Sequence, residues 1–139
     1  MQIARMKPKD YKEVYSLWSK TPGVGLNDVD DSQKGIRRYI RRNPKTCFVA
    51  KDANKIVGVL LSGHDGRRGY IHHAAVDCAF RHRGVGTALV NASIDALQKE
   101  GIYKVALVVF RDNEPGNAFW EKLGFTKRED LFYRNRSVP

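Results

Sequence analysis

The sequence predicts one domain, residues 1–139, of the α/β (α+β) class: a mixed, mainly antiparallel central sheet flanked by helices. Three observations carry this. Helical and strand periodicities alternate along 139 residues, with no internal repeat and no low-complexity linker. Two β-type runs, TCFVAK and KIVGVLLSG, flank the turn DANK and read as a hairpin. After them strand, helix, strand and helix follow in turn, which places helices on both faces of the sheet.

Each element has its own signal. Residues 1–6 fit an edge strand. Residues 8–20 read as a helix, because Tyr11, Val14, Leu17 and Trp18 recur at helical spacing. TPGVGLNDVDDS is rich in turn formers and reads as a loop. Ser32 is placed to cap a second helix through Arg42, with Ile36 and Ile40 as its apolar stripe and Asn43-Pro44 as its end. The hairpin follows, then the turn HDGRRG, then a third strand, YIHHAAV. A helix is expected from about Gly84 to Glu100, stopped by Gly101. YKVALVVF is nearly all apolar and reads as a buried strand. Residues 115–122 form a short helix with Pro115 near its start. The tail TKREDLFYRNR is a candidate last strand or hairpin.

Composition bounds the function. Hydrophobic residues make up 42%, enough for a folded core. No apolar run approaches the roughly 20 residues of a membrane span, and the first residues lack a signal-peptide apolar region. A cytoplasmic protein with no membrane partner is expected. The cysteines, Cys47 and Cys78, fit neither a disulfide framework nor a zinc site, so two buried thiols and no metal are expected. The formal charge of +10 favours anionic partners without choosing among them.

The stretch RHRGVGTALV, residues 81–90, narrows the choice. Amides of a tight glycine turn and of a helix's first turn lack partners and carry partial positive charge, which suits a phosphate or pyrophosphate. Gly84 and Gly86 let the backbone approach closely, and Arg81 and Arg83 add charge. Walker A requires a Lys that Gly86-Thr87-Ala88 lacks. The dinucleotide fingerprint wants a small residue where Leu89 stands and an acid further on that is missing. What remains is Arg-x-x-Gly-x-Gly directly after a strand.

AVDCAFRHRGVGTALV resembles the acyl-CoA signature of the GNAT superfamily of N-acetyltransferases. A second family signature follows in order and spacing: Asn113, the aromatic pair Phe119-Trp120, then Glu121-Lys122-Leu123-Gly124-Phe125. The resemblance covers residues 47–126 by motif and the first 45 by pattern. It implies a GNAT-type domain with acetyl-CoA as cosubstrate and no metal. It implies that Ala75, Val76 and Cys78 pair with the pantetheine arm through main-chain groups. The amides of Arg81, His82, Arg83, Gly84, Val85, Gly86 and Thr87 would hold the pyrophosphate. Asn113 would bond the cofactor arm, and Phe119 and Trp120 would flank it near the thiol. Simple structural roles stand beside these: strand burial for Ala75 and Val76, core packing for Phe119 and Trp120, a helix cap for Asn113.

Departures from the family pattern matter. Cys78 stands where Pro is frequent, and His82 where Gly is frequent. Trp120 replaces a Tyr that in many members protonates the leaving thiolate, and indole is no usable acid. Val108 replaces a Glu base found in some relatives that act on protein N-termini. The last two departures favour a small-molecule amine over a protein as acceptor.

The implied reaction has an amine attack a thioester carbonyl, form an oxyanion and expel a thiolate, by direct transfer in a ternary complex. Candidates for the proton acceptor are His72 and His73, which lie on one strand. Strand neighbours face opposite ways, so one is expected toward the site and the other toward the helices. His64, Asp65 and Tyr133 are further candidates by position. Asp28, Asp30 and Asp31 could draw in a cationic amine or simply cap a loop. Arg37, Arg38, Arg41 and Arg42 could serve an acidic acceptor, cofactor phosphates or a partner, or be a solvated helix face.

Two other classes remain open: an acyl-CoA-binding regulator without turnover, and a basic nucleic-acid-binding module. The second lacks interleaved aromatics and helix-turn-helix spacing, so no nucleic acid partner is expected. A homodimer is compatible with the family.

Overall fold

The computed structural model describes every residue, Met1–Pro139. The chain divides into two compact units, Met1–Val108 and Val109–Pro139.

The first unit is built on a five-stranded sheet in the order β1-β2-β3-β4-β5. Its strands are β1 (Gln2–Arg5), β2 (Phe48–Asp52), β3 (Lys55–His64), β4 (Gly69–Val76) and β5 (Val105–Ala106). Every pairing is antiparallel except β4 with β5. Ala53 and Asn54 join β2 to β3 with φ of 49° and 69°, the left-handed pair that a two-residue hairpin demands.

Helix α1 (Tyr11–Ser19) follows a short 3-10 turn at Pro8–Asp10. Helix α2 (Gln33–Arg42) starts as expected from Ser32, whose Oγ accepts from the Gly35 amide. Both cover one sheet face. Val14, Leu17, Trp18, Ile36 and Ile40 form a buried cluster with Val49, Val59, Leu61 and Ala75. Helix α3 (Val85–Lys99) covers the other. Leu89 and Val85 crowd Gly58, and Ser93 Oγ lies 2.7 Å from Ser62 Oγ. Ser62 also donates to the Thr46 carbonyl, so the hydroxyls at the centre of this layer are satisfied.

Three expectations fail. YKVALVVF is not a buried strand: only Val105 and Ala106 pair, and Tyr103 and Val108 are 80% and 59% exposed. A strand buried on both faces needs cover on both, and β5 is a two-residue edge strand. The tail after Phe125 forms no strand; its ion pairs are the local Lys127–Glu129 and Arg128–Asp130. Cys78 is exposed, because it opens a 3-10 turn (Cys78–Phe80) where the chain has left the sheet. Cys47 is buried as expected, and burial pushes its thiol up to about 12, leaving it inert.

The second unit holds helix α4 (Glu114–Lys122). Gly124, at φ 90°, closes it. The Gly124 amide bonds the Glu121 carbonyl and the Phe125 amide the Trp120 carbonyl, a Schellman end.

Candidate active site

The register of β4 is broken where the candidate histidines lie. Val59 pairs with Ala75 and Leu61 with His72, so His73 and Ala74 together oppose Leu60. This is a β-bulge, and His73 takes φ of 49°. A left-handed histidine is strained by about 1–2 kcal/mol, so its surroundings must hold it. They do. The Trp18 indole N–H donates to the His73 carbonyl at 2.9 Å, and the two rings meet edge-on at 5.2 Å. His73 Nε2 lies 2.8 Å from Asp31 Oδ1.

Asp31 is only 4% exposed. Its Oδ2 accepts the Asn27 amide at 2.8 Å, and its carbonyl accepts the Tyr11 hydroxyl at 2.7 Å. A carboxylate only accepts, so His73 donates its Nε2–H to Asp31. Asp30 accepts from Asn27 Nδ2. These aspartates therefore build the loop and fix the bulge, where the sequence had left open a lure for cationic amines. Asp31 was missed as a partner of His73 because the two lie 42 residues apart.

The bulge also overturns the expectation that His72 and His73 face opposite ways. Both rings lie on the α1/α2 side, 6.2 Å apart, since an extra residue restarts the alternation. His72 meets Tyr39 of α2 at 5.7 Å and Tyr70 at 4.5 Å. Desolvation, then the neighbouring His73, lowers its pKa below the usual imidazole value, against a smaller opposing pull from Asp31 and Asp30. His72 is thus a neutral imidazole near pH 7 that still reaches solvent. It lines an open cleft of about 380 Å³ between α2 and the β3–β4 turn.

His64 and Asp65 border the same cleft, but His64 is committed. Its Nε2 meets Glu100 at 2.6 Å and its Nδ1 accepts the Gly66 amide, so neither nitrogen is open for proton transfer. Tyr133 lies in the exposed tail.

Along β4 toward the glycine turn, two features fit an elongated anionic ligand. First, β5 pairs only with Gly69 and Tyr70. From Ile71 to Val76 the outer edge of β4 has no strand beside it, leaving main-chain groups open to a strand-like arm. Ala75 turns its side chain into the core, so only its backbone is available. Second, none of the amides from Arg81 to Thr87 donates a sound hydrogen bond within the chain. Gly84 takes φ of 80° at the start of α3, and a Cβ there would meet nothing within 4 Å. Open amides, a helix N-terminus and free space make an anion cradle. His82 takes φ of 62°, which explains why a glycine would be at home at that position. Arg83 lies over the Phe80 ring at 5.1 Å, and Arg81 Nε donates to the Val76 carbonyl at 3.4 Å. The structure thus places Ala75, Val76, Cys78 and Arg81 to Thr87 in one continuous run from β4 into α3.

Asn113, Phe119 and Trp120 belong to the second unit. Asn113 Oδ1 accepts the Gly116 amide at 3.0 Å, so it caps α4. Phe119 meets Trp120 at 5.0 Å, and Trp120 meets Phe125 at 5.1 Å, all edge-on. These packing roles were the simpler alternatives open from sequence.

Comparison with known proteins identifies the family and the fold. Residues 11–125 match the acetyltransferase (GNAT) family. The chain is 30% identical to the acetyltransferase plu1384 of Photorhabdus laumondii, over 99% of this chain and 96% of that one. It is similar to the structure of Ard1 from Thermoplasma volcanium, with a TM-score of 0.80 and 28% identity over 90% of this chain and 82% of the other. The fold is also that of the paia N-acetyltransferase of Thermoplasma acidophilum, solved with coenzyme A, with a TM-score of 0.81 at 16% identity over 94% and 92% of the two chains. Sequence and fold together make this chain an acetyltransferase, a member of the GNAT family.

Proposed function

We propose that the protein moves an acetyl group from acetyl-CoA to the primary amine of a small molecule, by direct transfer in a ternary complex and as one GNAT domain over residues 1–139. The observation that carries this is the run of unpartnered amides from Arg81 to Thr87, continuous with the open edge of β4. Acetyl-CoA supplies a thioester and a pyrophosphate. The turn holds the phosphates through backbone amides, with Arg81 and Arg83 adding charge. The main chain at Ala75, Val76 and Cys78 pairs with the arm, and the thioester end then lies toward the bulge. A location in the cytoplasm is part of the same proposal.

His72 is the proton acceptor of choice. Its ring is neutral near pH 7, reaches solvent and lines the cleft, whereas His73 Nε2 is held by Asp31. His73 is the positioning residue that sets the bulge. General-base assistance of this kind contributes about 10²- to 10⁴-fold in rate.

Isothermal titration with acetyl-CoA tests the cofactor site, using the wild type and Gly86→Asp. An aspartate in the first turn of α3 favours the helix but opposes a pyrophosphate. At ~6 Å and an effective dielectric near 40, the aspartate opposes each of the two pyrophosphate charges by about 1.4 kcal/mol, about 2.8 kcal/mol in all and a loss of about 100-fold. Wild-type protein that is folded and binds no acetyl-CoA would refute the proposal.

A further inference from the structure

We propose that the acceptor is a small primary amine that also carries a carboxylate, and that Arg42 and Arg68 receive the carboxylate in the cleft lined by His72. The inference rests on the N-acetyltransferase reading above and names the substrate class for the same site.

The charge balance of the cleft is the starting point. Arg42 is the last residue of α2, and Arg68 ends the β3–β4 turn; both line the cavity. Neither guanidinium has a carboxylate within ion-pair distance, since the chain's four ion pairs are His64–Glu100, His73–Asp31, Lys127–Glu129 and Arg128–Asp130. Arg68 is held over the Tyr103 ring at 5.0 Å, which restrains the guanidinium without neutralising it. The one carboxylate in the lining is Asp65. Its Oδ1 already accepts the amides of Arg67 and Arg68, at 2.8 and 2.9 Å. Two uncommitted forks therefore face a single anion that is turned toward its own loop. A planar guanidinium recognises a carboxylate in bidentate fashion better than any other group.

The geometry orders the two ends of the ligand. Gly69 and His72 both line the cavity and are three residues apart on β4, a span of about 10 Å at strand rise. The His72 end leads to the bulge and on to the open edge of β4. The Arg42 and Arg68 end lies away from it. An amine placed at His72 would meet the thioester, while an acid group several bonds away would reach the guanidiniums. Tyr39 packs against His72, with its hydroxyl beside Gly63, and burial pushes its phenol well above the ordinary value, so it remains a hydrogen-bond donor. The cleft holds about 380 Å³, which fits a small metabolite.

The test compares straight-chain amino acids, from glycine to 6-aminohexanoate, and lysine with their decarboxylated counterparts. Initial rates of thiol release from acetyl-CoA give kcat/KM. Carboxylated amines of matching length should be preferred about tenfold or more, and the Arg42→Gln/Arg68→Gln double variant should lose that preference mainly through KM. The variant's affinity for acetyl-CoA should not change. In parallel, titration of each of the same carboxylated amines into protein without acetyl-CoA should show, for at least one of them, binding in the wild type that the double variant lacks. That arm does not depend on turnover. A preference for neutral or cationic amines overturns the assignment. So does a preference that survives in the double variant, or an acetyl-CoA-binding protein that neither acetylates nor binds any carboxylated amine. Failure to bind acetyl-CoA at all strikes the acetyltransferase reading, while the acid titration still decides the cleft.

Discussion

Replacing Asp31 by alanine removes a carboxylate that is 4% exposed and accepts two hydrogen bonds of 2.8 Å, from His73 Nε2 and from the Asn27 amide. Each hydrogen bond to a charged group contributes about 1.5–3 kcal/mol. The desolvation that the carboxylate no longer suffers offsets part of that, so the net loss should be about 3 kcal/mol, within the range for breaking a buried pair. Asp31→Asn is the control. Its carbonyl can still accept the Asn27 amide, and its NH₂ can donate to His73 once the imidazole switches tautomer, so the loss should be about 1–1.5 kcal/mol. Urea unfolding at pH 7 measures both variants, with the m-value checked for constancy. In a thermal scan the alanine variant should melt roughly 10 °C below wild type, taking about 3–4 °C per kcal/mol for a chain of this length. A loss below about 1 kcal/mol for Asp31→Ala would refute the claim that this carboxylate holds the bulge. Equal losses for the two variants would show that the charge of Asp31 carries its whole contribution and that the hydrogen bonds an amide retains add nothing.

Other outcomes follow from the same structure. His72→Asn should lower kcat by about 10²-fold or more with little change in acetyl-CoA affinity. Wild-type activity should fall in acid only below the ordinary imidazole value of 6.5, because desolvation lowers the pKa of His72, and the variant should lose this limb. The same shift has a stability sign: the unfolded chain protonates first, so the contribution of His72 is present above 6.5 and is lost as pH falls through the lower folded value. Gly84→Ala places a Cβ in open space but at φ 80°, so it should destabilise by about 1–2 kcal/mol in urea and also weaken acetyl-CoA binding. Ser62→Ala, which deprives Ser93 and the Thr46 carbonyl of their buried partner, should lose about 1–3 kcal/mol in the same assay.

The sequence by itself determined whatever depends on neighbouring residues. Ser32 as a cap, the left-handed Ala53-Asn54 turn, the end of α3 at Gly101 and the anion-ready turn at residues 81–87 are set by groups a few positions apart, where backbone conformation and capping act. Apolar patterning failed for YKVALVVF because it records what a segment could bury, while exposure is decided by what the fold lays over it. The chemistry of the site lay beyond local reach for the same reason. Alternation along β4 predicted opposed histidines. The extra residue at the bulge put both on one face, and it is held there by Trp18 and Asp31, 55 and 42 residues away in sequence. In sequence Arg42 was one of four helix arginines open to an acidic acceptor, cofactor phosphates, a partner or plain solvation, and Arg68 was part of the turn HDGRRG; only the approach of α2 to the β3–β4 turn gave them a shared cavity with His72. Strand register and the packing of distant elements are long-range properties, so tertiary structure alone decided which basic residues share a cleft and which histidine lines it.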